Sequence, residues 1–418
     1  MATTSTVVRP AKELLHPDFP DAPIATVAPI AAPALTVLIA VPTLEAGAAD
    51  EGAVELAHML AANGHRAVVV SSGGRLEQSL DGATTVRLDL ASRNPLVMLR
   101  NAFALKRLIV QHRCAIVHAL ARGPAWSALI ATRMTGVPLV TTWYNGFRDQ
   151  NILKHVYNGV MARGQRVIAV NDQIADSIAA RHGVAAERIV VVPSRIDAAC
   201  FDPAHMTTER IDAVRAAWDI GADTRAIVVI GRILRRKGHH VIVRAAGRLK
   251  DMGLRDFAFV LVGEDHGRSS YSGELWDLVL ATQTSDVIRI AGPPEDLPAA
   301  YSASIAVVTA ATQLEGSQRS LLEAMAMARP VIVSDLAAGP EIVLAPPAVA
   351  EDRMTGLRFP SGDDGELAAA LIKLLSAPES TRLAIGRRGR ERAITHFATS
   401  DTETQLLAVY QEIARSQA

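Results

Sequence analysis

The chain has 418 residues, too many for one ordinary hydrophobic core and enough for two domains of roughly 150–200 residues each. Lys plus Arg and Asp plus Glu both number 43, and this balance argues against a nucleic-acid-binding protein, whose phosphate contacts need an excess of basic residues. Two cysteines, Cys114 and Cys200, are too few for a disulfide framework, and they favour a reducing, cytoplasmic location.

The first 34 residues are rich in Ala, Pro and Thr and have no regular period, which predicts a disordered tail over residues 1–34. The apolar stretch from Pro23 to Val41 contains prolines at 23, 29 and 33, and these would break a membrane-spanning helix. We therefore expect a tail that runs into a buried strand, and no transmembrane segment.

From Leu35 onward, short β-branched runs alternate with amphipathic stretches, a pattern typical of βαβ units and a parallel sheet. Strand-like runs in the first half lie at residues 35–42, 66–72, 84–90, 115–120, 138–144 and 166–171. A second series follows residues 189–197, at 226–233, 257–263, 287–292, 305–310 and 330–335. The sequence therefore predicts two doubly wound α/β domains, residues 35–195 and 196–396, and a final helix within 397–418 that crosses back to the first domain.

The segment after residues 305–310 is the most informative, because ligands of open parallel sheets bind beyond the carboxyl ends of the strands. It reads ATQLEGSQRSLLEAMAMARP, a loop followed by a helix that should start near Ser317. That helix is expected to bury Leu321, Leu322, Met325 and Ala326. Its amino end would offer free N–H groups and a positive dipole end to an anion. The flanking Glu315 and Glu323 carboxylates can accept hydrogen bonds from adjacent sugar or ribose hydroxyls.

A basic loop, VVIGRILRRKG, forms the first strand-to-helix turn of the second domain. Gly231 permits a tight turn, and Arg232 and Lys237 lie on the segment that leads into the next helix. The loop matches neither a Walker A motif nor GxGxxG. Arg235 and Arg236 are expected to lie in solvent.

These segments resemble a known family. GRILRRKG, LVGED and EGSQRSLLEAMAMARPVIVSD are similar to the retaining glycosyltransferases of family 4, whose GT-B fold consists of two Rossmann-like domains facing a cleft. In the first domain, LASRNPLVMLRNAFALKRL and RVIAVNDQIADSIAARHGV resemble bacterial members that act in lipopolysaccharide or other surface-glycan synthesis. The resemblance covers roughly residues 35–415.

The resemblance implies site residues. Arg232 and Lys237 would bind the donor diphosphate, Glu315 would face the transferred sugar, and Glu323 would bind the ribose; Glu315, Arg232 and Lys237 are thus the catalytic candidates. Further donor contacts are implied for Gly47, Gly231, Gly316, Ser317, Gln318, Arg319, Ser320 and Leu321. The family's usual EGFG is EGSQ here, so the second glycine is replaced by Gln318.

The first domain departs from the family at its sugar-facing group. Many relatives carry a His at the end of the strand at 138–144, before a glycine, whereas this chain has Tyr144-Asn145-Gly146. His118 ends a neighbouring strand and could approach the same cleft, although a buried structural histidine is the alternative. The acceptor-side polar group stays open between Asn145 and His118.

The implied activity is retaining transfer of a sugar from a nucleotide-diphosphate sugar to a glycan or lipid-linked acceptor, in lipopolysaccharide or other surface-polysaccharide synthesis. No Asp-x-Asp triplet occurs and the twelve histidines show no paired ligand spacing, so we expect neither a metal nor a cofactor. A GT-B protein that binds a glycan or a partner without transfer, and a sugar-nucleotide epimerase, are the alternatives.

Residues 94–113 raise a separate hypothesis of peripheral contact with the inner membrane. Apolar residues on this predicted helix are Leu96, Leu99, Phe103 and Leu108, and basic residues are Arg100, Lys106, Arg107 and Arg113. The alternative is a helix whose apolar face packs on its own sheet.

Overall fold

The structure, a computed structural model, describes residues 34–417 except residues 46, 147–150, 265–269, 317, 337–338 and 398. The predicted tail, apart from Ala34, lies outside the described residues. Leu35–Ala418 forms one compact unit.

The first sheet is parallel throughout. Its strands are β1 (Thr36–Ala40), β2 (Arg66–Ser71), β3 (Thr84–Arg87), β4 (Ile116–Ala119), β5 (Leu139–Trp143), β6 (Arg166–Ala169) and β7 (Ile189–Val191). They lie in the order β3-β2-β1-β4-β5-β6-β7, so the chain reverses its direction across the sheet between β1 and β4. Loops diverge at such a point and leave a crevice beyond the strand ends.

The second sheet is also parallel. Its strands are β8 (Arg225–Ile230), β9 (Phe257–Val262), β10 (Ile288–Ala291), β11 (Ala306–Thr309), β12 (Val331–Ser334) and β13 (Leu357–Phe359). The order is β10-β9-β8-β11-β12-β13, which places the reversal, and hence the second crevice, between β8 and β11. The sequence did not predict the three-residue strands β7, in the first sheet, and β13. The predicted domain boundary at residue 195 lies between the last strand of one sheet and the first strand of the other.

Helices cover both faces of each sheet. Those of the first half are α1 (Ala48–Ala62), α2 (Pro95–Gln111), α3 (Arg122–Thr135), α4 (Ile152–Gly159) and α5 (Asp172–His182). Those of the second half are α6 (Thr208–Ala217), α7 (His239–Asp251), α8 (Tyr271–Ala281), α9 (Leu297–Ser302), α10 (Arg319–Ala326), α11 (Gly339–Ile342), α12 (Asp364–Ser376) and α13 (Glu379–His396), followed by α14 (Thr399–Arg415). Short 3-10 turns lie at Arg75–Ser79, Val160–Arg163, Ala186–Arg188, Pro203–His205, Arg235–Lys237 and Glu351–Arg353.

The cores explain why the strands are continuous apolar runs. All five residues of β1 are buried, because its alternate side chains enter two different clusters. Leu38 packs with α2, α3 and α5 on one face, whereas Ile39 packs with α1 and α14 on the other. Each such buried side chain contributes about 1.5–3 kcal/mol relative to an exposed one. The covered faces leave the strand ends as the place for chemistry.

The last helix, α14, packs on the first sheet rather than on the second. Leu406, Val409, Tyr410 and Ile413 of α14 lie in the same core cluster as β1. The two connections between the halves meet where the Ile196 N–H donates to the Phe397 carbonyl at 2.9 Å.

Candidate functional site

The basic loop after β8 is fixed against the end of β11 by a glycine. Gly238 has a φ of +73°, and a Cβ atom there would lie 1.7 Å from the carbonyl oxygen of Ala310. Any other residue would collide with that backbone atom and adopt a disfavoured conformation. The loop therefore carries Arg236 and Lys237 into the crevice between β8 and β11.

Glu315 lies at the centre of this crevice and is 3% exposed. Its Oε2 lies 2.8 Å from Lys237 Nζ, and its Oε1 pairs with Arg236. The expectation that Arg236 lies in solvent was therefore wrong, because the loop turns its side chain towards the buried carboxylate. Arg235 is exposed as expected and pairs with Glu274 on α8.

Positive charge exceeds negative charge in this cluster. Burial, followed by Arg236 and Arg232, lowers the pKa of Lys237 to about 7, although the Glu315 carboxylate opposes that shift. Arg232 is exposed and has no hydrogen-bond or ion-pair partner among the described residues. Two basic side chains thus pair with one carboxylate and Arg232 adds a third positive charge near them, an arrangement that can accept a further anion such as a diphosphate.

A cavity of about 20 Å³ beside Glu315 is lined by polar groups, some of which lack partners. Both side-chain amide atoms of Gln318 and the Thr309 hydroxyl are buried without a hydrogen-bond partner among the described residues. Leaving such groups unsatisfied costs about 1–3 kcal/mol each, so they are suited to a bound ligand or water. Sequence reasoning missed Thr309, although its place at the end of β11 was a signal.

His239 lines the same cavity and was also missed. It is 1% exposed and is the first residue of α7. Burial, followed by the charge on Lys237, lowers the pKa of His239 to about 4, with the Leu234 carbonyl opposing. The ring is therefore neutral near pH 7, and its position directly after Gly238 was the available signal.

Glu323 lies on α10, one helical turn beyond Arg319, and is 5% exposed. It accepts hydrogen bonds from the Tyr301 hydroxyl at 2.7 Å and from Arg319 Nε at 2.9 Å. Burial raises the pKa of Glu323, and Arg319 opposes that shift. The carboxylate is thus fixed in the second domain next to the amino end of α10.

Arg319 joins the two domains. Besides Glu323, its guanidinium pairs with Glu51 at 3.4 Å and with Glu55, both on α1 of the first domain. Burial opposes protonation, but Glu55, Glu323 and Glu51 together raise the pKa of Arg319. Arg319 is therefore an interdomain contact, and not only the donor contact that the resemblance implies.

The loop that carries Glu315 touches the first domain directly. A Cβ atom on Gly316 would lie 2.1 Å from the Tyr144 carbonyl oxygen, so only glycine permits this approach. Asn171, the N-cap of α5, donates from Nδ2 to the Gly316 carbonyl at 3.0 Å. Asn145 forms an isolated antiparallel bridge with Glu315. Sequence reasoning missed Asn171.

The other residues for which the resemblance implies donor contacts lie in different environments. Ser317 lies outside the described residues. Leu321 is fully buried in the core, so only its backbone faces the loop, whereas Ser320 lines the small cavity. Gly231 follows β8 with a φ of +145°. Gly47 has a φ of +138° and accepts the first hydrogen bond of α1 from the Glu51 N–H.

His118 contrasts with Asn145. It is 1% exposed, its Nδ1 lies 2.6 Å from the Tyr410 hydroxyl oxygen, and its Nε2 lies 2.7 Å from Thr142 Oγ1. Burial lowers the pKa of His118 to about 3. Both ring nitrogens are engaged within the protein, which favours the alternative of a structural histidine that anchors α14. His118 also lines a cavity of about 70 Å³ together with Glu51, Glu55 and Arg319, so its acceptor-side role stays a prediction. Asn145 remains the other acceptor-side candidate.

The family model described as Glycosyltransferase Family 4 matches residues 51–199, and the one described as Glycosyl transferases group 1 matches residues 224–377. The chain belongs to glycosyltransferase family 4. The first match covers β2 to β7 and the second covers β8 to β13, and the second includes Arg232, Lys237, Glu315 and Glu323.

Similar proteins support this assignment. D-inositol 3-phosphate glycosyltransferase of Saccharomonospora viridis is 30% identical over 262 residues, which cover 60% of this chain and 57% of that protein. The crystal structure of a glycosyltransferase from Rickettsia africae ESF-5 is 26% identical, has a TM-score of 0.81 and covers 91% of this chain and 99% of its own. Anabaena Alr3699/HepE in complex with UDP-glucose shares the fold, with a TM-score of 0.78, 17% identity and coverage of 90% and 100%.

The predictions of family 4 and of the GT-B fold are confirmed. The alignments cover 57–62% of the length of the first three curated relatives. Activity and substrates of this chain are therefore matters of proposal.

Proposed function

We propose that the protein transfers a sugar from a nucleotide-diphosphate sugar to a glycan or lipid-linked acceptor, with retention of anomeric configuration. The observation that carries the proposal is the Glu315 carboxylate held between Arg236 and Lys237 in the crevice between β8 and β11. Asn145 of the first domain lies directly beside it. A sugar bound at Glu315 would thus face an acceptor bound by the first domain.

The donor diphosphate binds at the basic loop. Arg232 is exposed at the crevice, Lys237 reaches into it, and the amino end of α10 adds the positive end of a helix dipole. The unpartnered groups of Gln318 and Thr309 supply hydrogen bonds to the diphosphate or the sugar. Glu323 accepts the ribose hydroxyls, with Tyr301 and Arg319 fixing its orientation.

Donor binding would also free the catalytic carboxylate. In the structure Glu315 Oε2 is paired with Lys237. When Lys237 turns to the diphosphate, that oxygen becomes available to accept hydroxyls of the sugar. As the bond to the sugar breaks, the charge that develops on the leaving diphosphate is stabilised by Arg232, Lys237 and the α10 dipole.

We propose further that transfer needs no divalent metal, because these cationic groups can stabilise the leaving group alone. Among the described residues, no group of three His, Cys, Asp or Glu side chains could hold a metal ion. Activity should therefore survive an excess of chelator. A full loss that magnesium or manganese restores would contradict this part of the proposal.

For the acceptor and the pathway we propose a class of molecule and not a single compound. We assign the product to lipopolysaccharide or another surface glycan on the resemblance of the first-domain segments, and the site of action to the cytoplasm. One relative acts, by its name, on D-inositol 3-phosphate, so a small phosphorylated polyol belongs among the acceptors to be tested.

The test is release of nucleotide from a panel of UDP-, GDP- and ADP-sugars, with and without candidate acceptors. We expect acceptor-dependent release of one nucleoside diphosphate, and Glu315→Ala should reduce the rate more than the donor affinity. A changed sugar that is still attached to its nucleotide would instead identify an epimerase. Donor or glycan binding without release would identify a binding protein.

A further inference from the structure

Charge is distributed very unevenly along this balanced chain. From Arg93 to Asn171 the sequence contains eleven Lys and Arg residues and a single acidic residue, Asp149, which lies outside the described residues. This stretch contains α2, α3 and α4. These three helices carry six Lys and Arg residues and no acidic residue, although the net charge of the chain is zero. The helix α5 of the same layer contributes Asp172 and Asp176.

The outer face of α2 combines this charge with exposed apolar side chains. Leu96 is 77% exposed, Phe103 57% and Val110 65%, and their spacing of seven places them on one side of the helix. Arg100, Lys106 and Arg107 are exposed between them. The opposite side of α2 packs on the sheet through Ala102, Leu105 and Ile109. Leu96, Leu99 and Phe103 therefore do not pack on the sheet, whereas Leu108, the fourth apolar residue of that prediction, is partly buried against the core.

The neighbouring helix α4 repeats this pattern. Ile152 is 82% exposed and Leu153 81%, with Lys154 beside them. Trp126 of α3 donates from Nε1 to the Tyr157 carbonyl of α4 at 3.2 Å, so α4 lies in the same layer as α2 and α3. Seven of the twelve large hydrophobic side chains exposed among the described residues are on α2 and α4. The apolar exposure is thus concentrated where the basic charge is.

A cationic cavity lies beside α4. It has a volume of about 590 Å³ between α3, α4 and α5, and Val156 of α4 lines it. Its basic lining residues are Arg133, Arg163, Arg181, Arg188, His155 and His182. No carboxylate lines it among the described residues. The cavity is large enough for a phosphate group and has the charge to attract one.

We propose that α2 and α4 form a docking face for an anionic lipid bilayer, with the cavity beside α4 receiving a lipid phosphate. Apolar side chains would enter the interface while Lys and Arg extend to the anionic head groups. The contact is peripheral, because no helix among the described residues is long and apolar enough to cross a membrane. A second copy of this chain fits less well, since two such basic faces would repel each other.

This docking face goes beyond the proposed transfer reaction and does not depend on it. Binding to vesicles can be measured without donor or acceptor, so failure of one proposal is separable from failure of the other.

The experiment is co-sedimentation of the full chain with vesicles of phosphatidylcholine alone or mixed with phosphatidylglycerol. We expect binding to the mixed vesicles and little to phosphatidylcholine. Leu96→Ser combined with Phe103→Ser, and Lys106→Glu combined with Arg107→Glu, should each weaken binding on the order of tenfold or more. Ile152→Ser combined with Leu153→Ser should do the same.

Matched controls lie on the second domain. Trp276 and Leu280 on α8 are 45% and 55% exposed, and their replacement by serine should leave vesicle binding unchanged. Arg353→Glu combined with Arg387→Glu should also have no effect. Since every substituted side chain is exposed, unchanged circular dichroism is expected for all variants.

Several results would overturn the proposal. One is equal binding to anionic vesicles and to phosphatidylcholine vesicles. Another is an equal loss of vesicle binding in the α2, α4 and control variants. A third is that the full chain forms a dimer, that the α2 variants are monomers, and that the wild type does not bind vesicles. A second copy of the chain, and not a bilayer, would then cover this face.

Discussion

The two sheets have crevices at equivalent topological positions, but the polar groups around them differ in kind. On the first sheet, His118 of β4 has both ring nitrogens engaged, by Tyr410 and Thr142. At the crevice of the second sheet, Gln318 and Thr309 have no partners, and Arg232 is exposed without one among the described residues. The GT-B fold supplies both crevices, and among the described residues the unpartnered Gln318 and Thr309 and the cluster of basic side chains lie at the second.

This difference separates a structural polar group from a binding group. A buried polar side chain that is fully hydrogen-bonded fixes the packing of its neighbours and has little left to offer a ligand. Unsatisfied groups next to several cations are costly unless something binds them. Substitutions at the first crevice should therefore lower the stability of the fold, whereas substitutions at the second should weaken substrate binding.

The largest effect is expected at Lys237 of the second crevice. Lys237→Ala removes one of the two cations paired with Glu315 and should cost on the order of 2–4 kcal/mol of transition-state stabilisation, roughly a hundredfold or more in rate. Steady-state nucleotide release measures this. Arg235→Ala is the matched control, because Arg235 belongs to the same loop but pairs with Glu274 at the surface. Similar losses of rate in the two variants would show that Lys237 is not part of the site.

A smaller effect is expected at Glu323. Glu323→Gln keeps the shape of the side chain but removes the charge that would accept ribose hydroxyls. Hydrogen bonds to charged groups contribute about 1.5–3 kcal/mol, so donor affinity should fall by roughly tenfold to a hundredfold. Equilibrium binding of the donor measures it. Unchanged affinity with a lowered melting temperature would indicate that Glu323 acts only through Tyr301 and Arg319.

The smallest effect is expected at His118 and concerns stability. Its pKa in the folded protein is about 3, whereas an unfolded histidine titrates near pH 6.5. Between these values the unfolded chain binds a proton that the folded chain does not, so this contribution is present above about pH 6.5 and is lost as the pH falls. The slope is at most about 1.4 kcal/mol per pH unit.

Urea unfolding of the wild type and of His118→Gln between neutral and mildly acidic pH measures this contribution. The advantage of the wild type should shrink as the pH falls. A constant difference between the wild type and His118→Gln would mean that His118 is not held neutral in the folded protein.

Local sequence patterns predicted most of the fold because parallel strands buried on both faces are continuous apolar runs. Strands β7 and β13 escaped prediction because each has only three residues, too few for any period to show. The helix α10 was predicted from its apolar spacing, and it begins at Arg319, two residues after the expected start.

The sequence predicted which residues gather at the second crevice but not what they contact. Glu315 and Lys237 meet beyond the strand ends, and Glu323 lies on α10 beside Arg319; the roles that the resemblance implies for them stay predictions. The pairing of Arg236 with Glu315, and of Arg319 with Glu55, joins residues 79 and 264 positions apart in the chain, and no local pattern encodes such a contact. The partner of His118 could not be predicted either, because Tyr410 lies 292 positions away in the chain.

Calorimetric titration with UDP, GDP and ADP tests the central contrast between the crevices most directly. It compares the wild type with Lys237→Ala and His118→Gln, each shown by circular dichroism to be folded. We expect the wild type to bind at least one of these nucleotides, Lys237→Ala to lose most of that affinity, and His118→Gln to keep it. Binding that survives in Lys237→Ala but disappears in folded His118→Gln would place the nucleotide in the first crevice and contradict the assignment.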